Sequence, residues 1–369
     1  MKVQITNGMY MALIINMVYA KAIGITQGSM ARDVGSDMWI STVIANLIAI
    51  TLLLLVVYIV KKMPQGDLID QSKIMLGNWF SKILSLIILA FFMFAFAPIM
   101  VTFVFHLNDF FLPEAPVILF VVIAIGVGTF AAFFGVEVIG RMALIGVFSI
   151  LLLNALIIIG SIGEFDIREL LPIFENGVRE PILASRHHLA DWTLVIMMAT
   201  MLLPTVKSPK EWRNSSIAGV LFTGLIIVLW PILEIGVLSS QVTSHYIVSC
   251  MQLARSAHVG YFLHRYEMIM IALFGISLMC QIMISLLCGS IAASKLVGLK
   301  DYRKLLIPVG ILFGIYSYWV VSDHNRAMKI LENEWVTQSL TITLSVLGSI
   351  FILGFLFKKK LKKESEQAK

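Results

Sequence analysis

Charge is what this 369-residue chain most lacks. Asp, Glu, Lys and Arg together make up 14% of it, while 59% is hydrophobic, against about 25% charged and 45–50% apolar in an ordinary soluble domain. That shortage excludes a soluble globular enzyme, and the length of the apolar blocks excludes a disordered, collagenous or coiled-coil chain. Cysteine is scarce too. Cys250, Cys280 and Cys288 are too few and too poorly spaced for a disulfide framework, a zinc site or an iron–sulfur cluster. No Gly-x-Ser-x-Gly, His-Glu-x-x-His or Gly-x-x-x-x-Gly-Lys-[Ser/Thr] pattern occurs, so neither hydrolysis nor nucleotide-driven pumping is supported. No cofactor is expected. The net charge of +6 does not point to nucleic acid, because the basic residues lie between apolar blocks and at the C-terminus, where they act as topology signals.

What the chain has is uncharged apolar runs of the length that crosses about 30 Å of hydrocarbon at about 1.5 Å per residue. Ten are read: Met9–Met30, Met38–Val60, Ile83–Phe105, Pro116–Phe134, Met142–Ile162, His188–Val206, Ser216–Leu238, Glu267–Ile291, Leu305–Val321 and Val336–Phe357. Only helices satisfy their own backbone in lipid without barrel-type alternation, so an all-α integral membrane protein is expected. Ala20-Lys21-Ala22 superficially resembles a signal-peptide cleavage site, but the lysine and the continuing apolar run argue for a retained first helix. With the N-terminus inside, the inner segments hold 19 Lys and Arg and the outer ones 8, which places both termini in the cytoplasm. The basic tail, residues 358–369, reads as a stop signal at an anionic inner leaflet, with membrane lipid as its partner.

Ten helices divide into two five-helix repeats, 1–162 and 187–357, joined by an outer loop at 163–186, and an odd number per half inserts the second half upside down. Two long amphipathic connectors stand at equivalent places. Lys61–Ser81 carries Leu68, Met75, Leu76 and Trp79, and Ser239–His264 carries Tyr246, Ile247, Met251 and Ala254. A 5+5 inverted repeat with interrupted first and sixth helices is therefore expected.

An ionisable side chain at membrane depth is a functional suspect by default. Lys21 leads, flanked by Ala20 and Ala22 with Gly24 beyond; these small residues admit local unwinding, and the ammonium either binds a carboxylate or replaces a coupling cation, with snorkelling toward a vestibule as the bland alternative. Asn16 is read as polar glue between helices. In the short sixth helix, which holds Met197, Met198 and Thr200, Pro204 frees the Thr200 carbonyl to face a ligand or water. Asp191 is read as marking the wet outer end of that helix. His187, His188 and Asp191 mimic a metal site by spacing, but a wet helix end explains them better and no metal is expected. Glu234 is placed at the outer interface.

Several stretches carry a family resemblance. Leu76-Gly77-Asn78-Trp79 after Pro64 is one; another is Phe165-Asp166-Ile167-Arg168-Glu169-Leu170-Leu171-Pro172-Ile173, followed by Gly177 and Pro181. The third is Gly260-Tyr261-Phe262-Leu263-His264-Arg265-Tyr266-Glu267. In this order along ten helices they resemble the B-subunit family of spore germination nutrient receptors, a permease-like branch of the amino acid–polyamine–organocation superfamily. The resemblance implies a small nutrient, an amino acid or nucleoside, held between the broken first and sixth helices and walled by the third and eighth. By position that pocket is lined by Asn16, Ala20, Lys21, Ala22, Ala95, Met197, Met198, Thr200 and Ile284. It also implies A and C partner subunits in the spore inner membrane. The chain departs from the family where Ala20-Lys21-Ala22 replaces a Gly-x-Gly-like break and Val195 to Met198 replaces a Gly-x-Glu. An acid is thus expected to be lost and a base gained, reversing the charge preference of the pocket. The expected function is a non-enzymatic nutrient sensor with Phe165–Arg186 and Ser239–His264 as its lid; a stand-alone transporter of amino acids or cations, and a scaffold or ion channel that binds no nutrient, are the alternatives.

Overall fold

The computed structural model describes residues 5–175, 177–259 and 266–367. Nearly all of them are helical, and Ile5 forms an isolated parallel bridge with Val206. Nine helices among the described residues are long and apolar enough to cross a membrane. The one further predicted span, the first in chain order, is Asn7–Gly24. It carries Asn16 and Lys21, and it tolerates them because every residue from Ala12 to Gly24 is buried in protein rather than lipid.

The spans run in the predicted order. After the first come Met38–Val60, Asn78–Phe110, Val117–Phe134 and Val136–Ser161. The sixth span is segmented: Arg179–Ala184, then Arg186–Leu202, then a 3₁₀ turn at Leu203–Thr205 that holds Pro204. Trp212–Leu238, Tyr266–Val297 and Leu306–Val321 follow. The tenth begins as His324–Lys329, passes through a π-helical turn at Ile330–Glu334 and continues as Trp335–Leu356. Gly135 alone joins the fourth span to the fifth, at φ 92°, a conformation that a side chain with a Cβ resists.

The first and sixth spans are the axis of the bundle and the others wrap them. Of the apolar window of the sixth, 83% is buried, against 33% for the fourth and the tenth. Side chains such as Phe130, Phe148, Leu225 and Phe355 are left exposed, as a lipid-facing surface requires. Asparagines bind helices together where apolar packing has no preference. Asn154 donates to the Tyr19 hydroxyl at 2.8 Å and accepts from Trp230 Nε1 at 3.0 Å, and Asn46 ties the second span to the sixth and seventh through Trp192 and the Gly224 carbonyl.

The loops fall on two faces. One holds Ile5, the Asp67-capped helix Leu68–Leu76, Gly135, Val206 and the lysine-rich helix Lys358–Gln367, and is called the basic face below. The opposite face carries Thr26–Val34, the 3₁₀ turn Ile167–Leu170 and the short helices Ser240–His245 and Ser249–Ser256. The two expected amphipathic connectors are therefore helical and lie on opposite faces. Leu68 and Met75 pack inward, whereas Leu76 and Trp79 are exposed. Residues 260–265 of the third family-like stretch lie outside the described residues.

Candidate functional site

The first span breaks at Ile25, between Gly24 and Thr26, and not at Ala20-Lys21-Ala22 as the residue sizes suggested. Those three stay helical and buried. The crossing explains the difference. A methyl group at Gly24 would lie 2.8 Å from Thr102 and 3.1 Å from His106 and Phe274, so the third and eighth spans press on the chain at that residue. A helix that stops inside protein leaves carbonyls without donors, and here side chains supply them. His188 Nε2 donates to the Ala22 carbonyl at 3.2 Å; Thr26 Oγ1, 3.3 Å from the Lys21 carbonyl, and Cys250 Sγ, 3.6 Å from the Gly24 carbonyl, each carry one proton, which the carbonyl shares with a second acceptor, Asp191 and His106 respectively. His106 donates from Nδ1 to the Thr102 carbonyl at 2.7 Å, which leaves Nε2 to accept from the Cys250 thiol at 3.5 Å.

Lys21 stands in the last turn of this half-helix, where the helix dipole favours a cation. Its ammonium is paired with the Asp191 carboxylate of the sixth span, and both side chains are buried. Asp191 also accepts from the Thr26 hydroxyl at 2.7 Å and from Trp335 Nε1 at 3.2 Å, while the Lys21 ammonium lies 5.3 Å from the centre of the Trp335 ring. The π-helical turn just before Trp335 sets the register of that indole; such turns recur at functional sites. A void of about 10 Å³, the space of one water, adjoins Lys21, Thr26, His187 and Trp335.

Three expectations change. Asp191 does not mark a wet helix end: it is fully buried, His187 and His188 are buried beside it, and each has a partner other than a metal. Among the described residues no His, Cys, Asp and Glu cluster could hold a metal ion. No acid stands at Val195 to Met198, but Asp191 lies one turn ahead of Val195, and the site is neutral as a pair rather than cationic. Glu234 is not at an interface. It is fully buried and accepts from the Ser249 hydroxyl at 2.8 Å, latching the helix Ser249–Ser256 to the seventh span.

The remaining predicted pocket residues are all buried. Asn16 is tied elsewhere: its amide donates to the Ala12 and Ala143 carbonyls, and its own carbonyl accepts from Ser277 and Gln281 of the eighth span. Thr200 gives its hydroxyl to the Met197 carbonyl at 2.7 Å. Ala20, Ala95, Met198 and Ile284 are packed side chains on the first, third, sixth and eighth spans. Asp191, Thr26, Trp335, His106 and Cys250 were not foreseen. One signal was available for Asp191: a lysine inside one span requires an acid inside another, and Asp191 lies within the predicted sixth.

On the opposite face the break is sealed. Arg32 pairs with Glu332 at 2.6 Å and reaches the Ser244 carbonyl at 3.1 Å, while Arg186 and His187 converge on Asp33 at 3.1 and 2.9 Å. Gly28 abuts the Tyr246 carbonyl so closely that any Cβ would collide with it. The basic face differs. A cavity of about 300 Å³ opens there, lined by the ends of the fourth and sixth spans, the loop before Leu68 and the eighth span. Lys295 closes one edge of it by pairing with Asp67 at 2.5 Å and Asp70 at 2.8 Å. Burial pushes the Asp67 carboxyl above the usual carboxylate range, and the Lys295 ammonium pulls the other way.

A sequence model of the family described as "Spore germination protein" matches residues 4–325. Spore germination protein KB of Bacillus subtilis (strain 168) is 24% identical, with 100% of this chain and 99% of that protein covered. Spore germination protein GerQB of Bacillus cereus is 21% identical over 84% of this chain and 83% of its own length. Among solved structures, Mhp1, a nucleobase-cation-symport-1 family transporter in a closed conformation with bromovinylhydantoin bound, superposes with a TM-score of 0.73 at 12% identity, covering 95% of this chain and 78% of that one. MhsT in complex with L-phenylalanine gives 0.67 at 12% identity, covering 97% and 95%. At such identities the likeness is one of fold.

Proposed function

The chain belongs to the spore germination protein family, and on that premise we propose that it is the membrane subunit of a germinant receptor, binding a small nutrient at the break in its first span. The observation that carries this reading is the buried Lys21–Asp191 pair at the break. A charge pair inside a membrane bundle is costly to keep, and this one joins the two central spans to Trp335 of the tenth and to Thr26 just beyond the break. Because the pair neutralises itself, the pocket suits a neutral or zwitterionic nutrient, an amino acid or a nucleoside. Lys21 takes the place a bound cation would otherwise fill. Ala20, Ala22, Ala95, Met197, Met198, Thr200 and Ile284 form the wall around it, and Asn16 holds the first span to the eighth.

In this reading residues 1–162 and 187–357 are the two inverted repeats, the basic face is cytoplasmic, and the protein acts without enzymatic chemistry in the spore inner membrane beside A and C subunits. Nutrient binding shifts the equilibrium between the sealed packing and one in which the helix Ser249–Ser256 lifts from Glu234. The test is a germination assay on spores lacking this chain, with nutrients supplied singly and early ion release scored. Selective loss of one nutrient response, reproduced by Lys21→Ala, is expected; normal germination with every nutrient overturns the reading.

A second reading, a stand-alone secondary transporter of amino acids or cations, draws support from the basic-face cavity and from the fold shared with transporters. Uptake of radiolabelled nutrient into proteoliposomes separates the two.

A further inference from the structure

The cavity on the basic face has no part in the germinant pocket. Along the sixth span its nearest wall, Met201, stands ten residues beyond Asp191, about 15 Å of helix. Its floor is apolar, built from Phe134, Met201, Leu287 and Ile291, and its volume of about 300 Å³ lies at the small end of ligand sites.

Charged side chains of both signs line it, Arg303 from the 3₁₀ turn Tyr302–Leu305 and Asp70 from the helix Leu68–Leu76. Arg303 gives its Nε–H to the Phe133 carbonyl at 2.9 Å and lies 5.3 Å from the centre of the Phe133 ring. Among the described residues no carboxylate pairs with that guanidinium; besides the Phe133 carbonyl it bonds the Tyr302 hydroxyl, so its charge is unpaired while part of its fork is taken. Asp67 and Asp70 share the single ammonium of Lys295, so two carboxyls meet one cation, and Asp70 is the half-exposed one of the two. Arg303 and Asp70 do not pair with each other.

We propose that this cavity binds a small zwitterion with an apolar body, an amino acid in chemical class. Its carboxylate meets the Arg303 fork, its ammonium meets Asp70, and its apolar part covers the floor. The site faces the side opposite to the germinant, so it gives the protein a contact with solutes on the basic face, and it stands whether or not the helix-break reading holds.

The test uses the full chain in nanodiscs with two isomeric probes, L-leucine and 6-aminohexanoate, which differ in the distance between their charges. The three native cysteines are buried, so Thr205→Cys in the cavity wall reports occupancy through labelling by a membrane-impermeant thiol reagent. Saturable protection by one of the isomers is expected, weakened at least tenfold by Arg303→Gln and severalfold by Asp70→Asn. Arg303→Lys, which keeps the charge and loses the fork, is expected to protect at an intermediate level, and this guards against misfolding of the glutamine variant. Isoamylamine and 4-methylpentanoate, each lacking one charge, are expected to protect at least tenfold less well. Lys21→Met/Asp191→Leu, which removes the helix-break pair without stranding a charge, is expected to leave protection unchanged. Protection by neither isomer, protection indifferent to Arg303→Gln, or equal protection by a singly charged analogue overturns the proposal.

Discussion

Removing Lys21 alone and removing the whole pair should have opposite outcomes. Lys21→Met leaves the Asp191 carboxylate buried with only the Thr26 hydroxyl and the Trp335 indole. Breaking a buried pair by deleting one partner costs about 3–5 kcal/mol, because the other charge stays behind, and Asp191→Leu should cost about as much. The double variant Lys21→Met/Asp191→Leu strands no charge and is expected within about 2 kcal/mol of the wild type, where simple addition would give roughly 6–10 kcal/mol. In thermal unfolding of the detergent-purified chain, each single variant then melts on the order of 10 °C lower and the double close to the wild type. A companion measurement tests whether Lys21 replaces a cation. In Lys21→Met the carboxylate and the Thr26 hydroxyl are left to coordinate sodium, and sodium at about 100 times its dissociation constant restores about 2.7 kcal/mol relative to choline chloride. A double variant that melts as low as the summed singles refutes the pairing, and a sodium effect equal in wild type and Lys21→Met refutes the replacement.

Trp335→Phe keeps the ring over Lys21 but loses the indole donor to Asp191. A hydrogen bond to a charged group contributes about 1.5–3 kcal/mol, and a melting loss of that size is expected; no loss would mean the indole N–H is immaterial. Gly28→Ala drives a methyl into the Tyr246 carbonyl, so the seal on the opposite face should loosen and Cys250, buried in the wild type, should become alkylated faster; an unchanged rate counts against the seal. Arg32→Gln and Arg186→Gln remove half-exposed pairs whose individual worth is about 0–1 kcal/mol. They are expected to leave the melting temperature nearly unchanged while raising Cys250 alkylation, and a large melting loss would show these pairs to be structural instead.

Part of the site was legible from the chain alone. Lys21 announced itself because a lysine within an apolar run is costly at that depth, and its bland alternative, snorkelling toward a vestibule, is difficult from mid-membrane. Glu234 and Asp191 did not, since a carboxylate near the end of a run reads equally as an interface residue or as a buried one, and only the neighbours decide. Ser249, fifteen residues on in a connector helix, buries Glu234, and Lys21, 170 residues away, buries Asp191. The break in the first span was foreseen but assigned four residues too early, because alanine permits close approach without demanding it, whereas at Gly24 three side chains already occupy the space of a Cβ.

Span number, order and the basic bias of one face follow from the length of apolar runs and the placement of lysines, both of which the bilayer reads locally, one segment at a time. Tertiary structure decided what each polar group inside those spans is paired with. That depends on which helices cross at one depth, and antiparallel neighbours far apart in sequence leave no periodic trace of their pairing. The same crossing left the cavity on the basic face while it closed the opposite one.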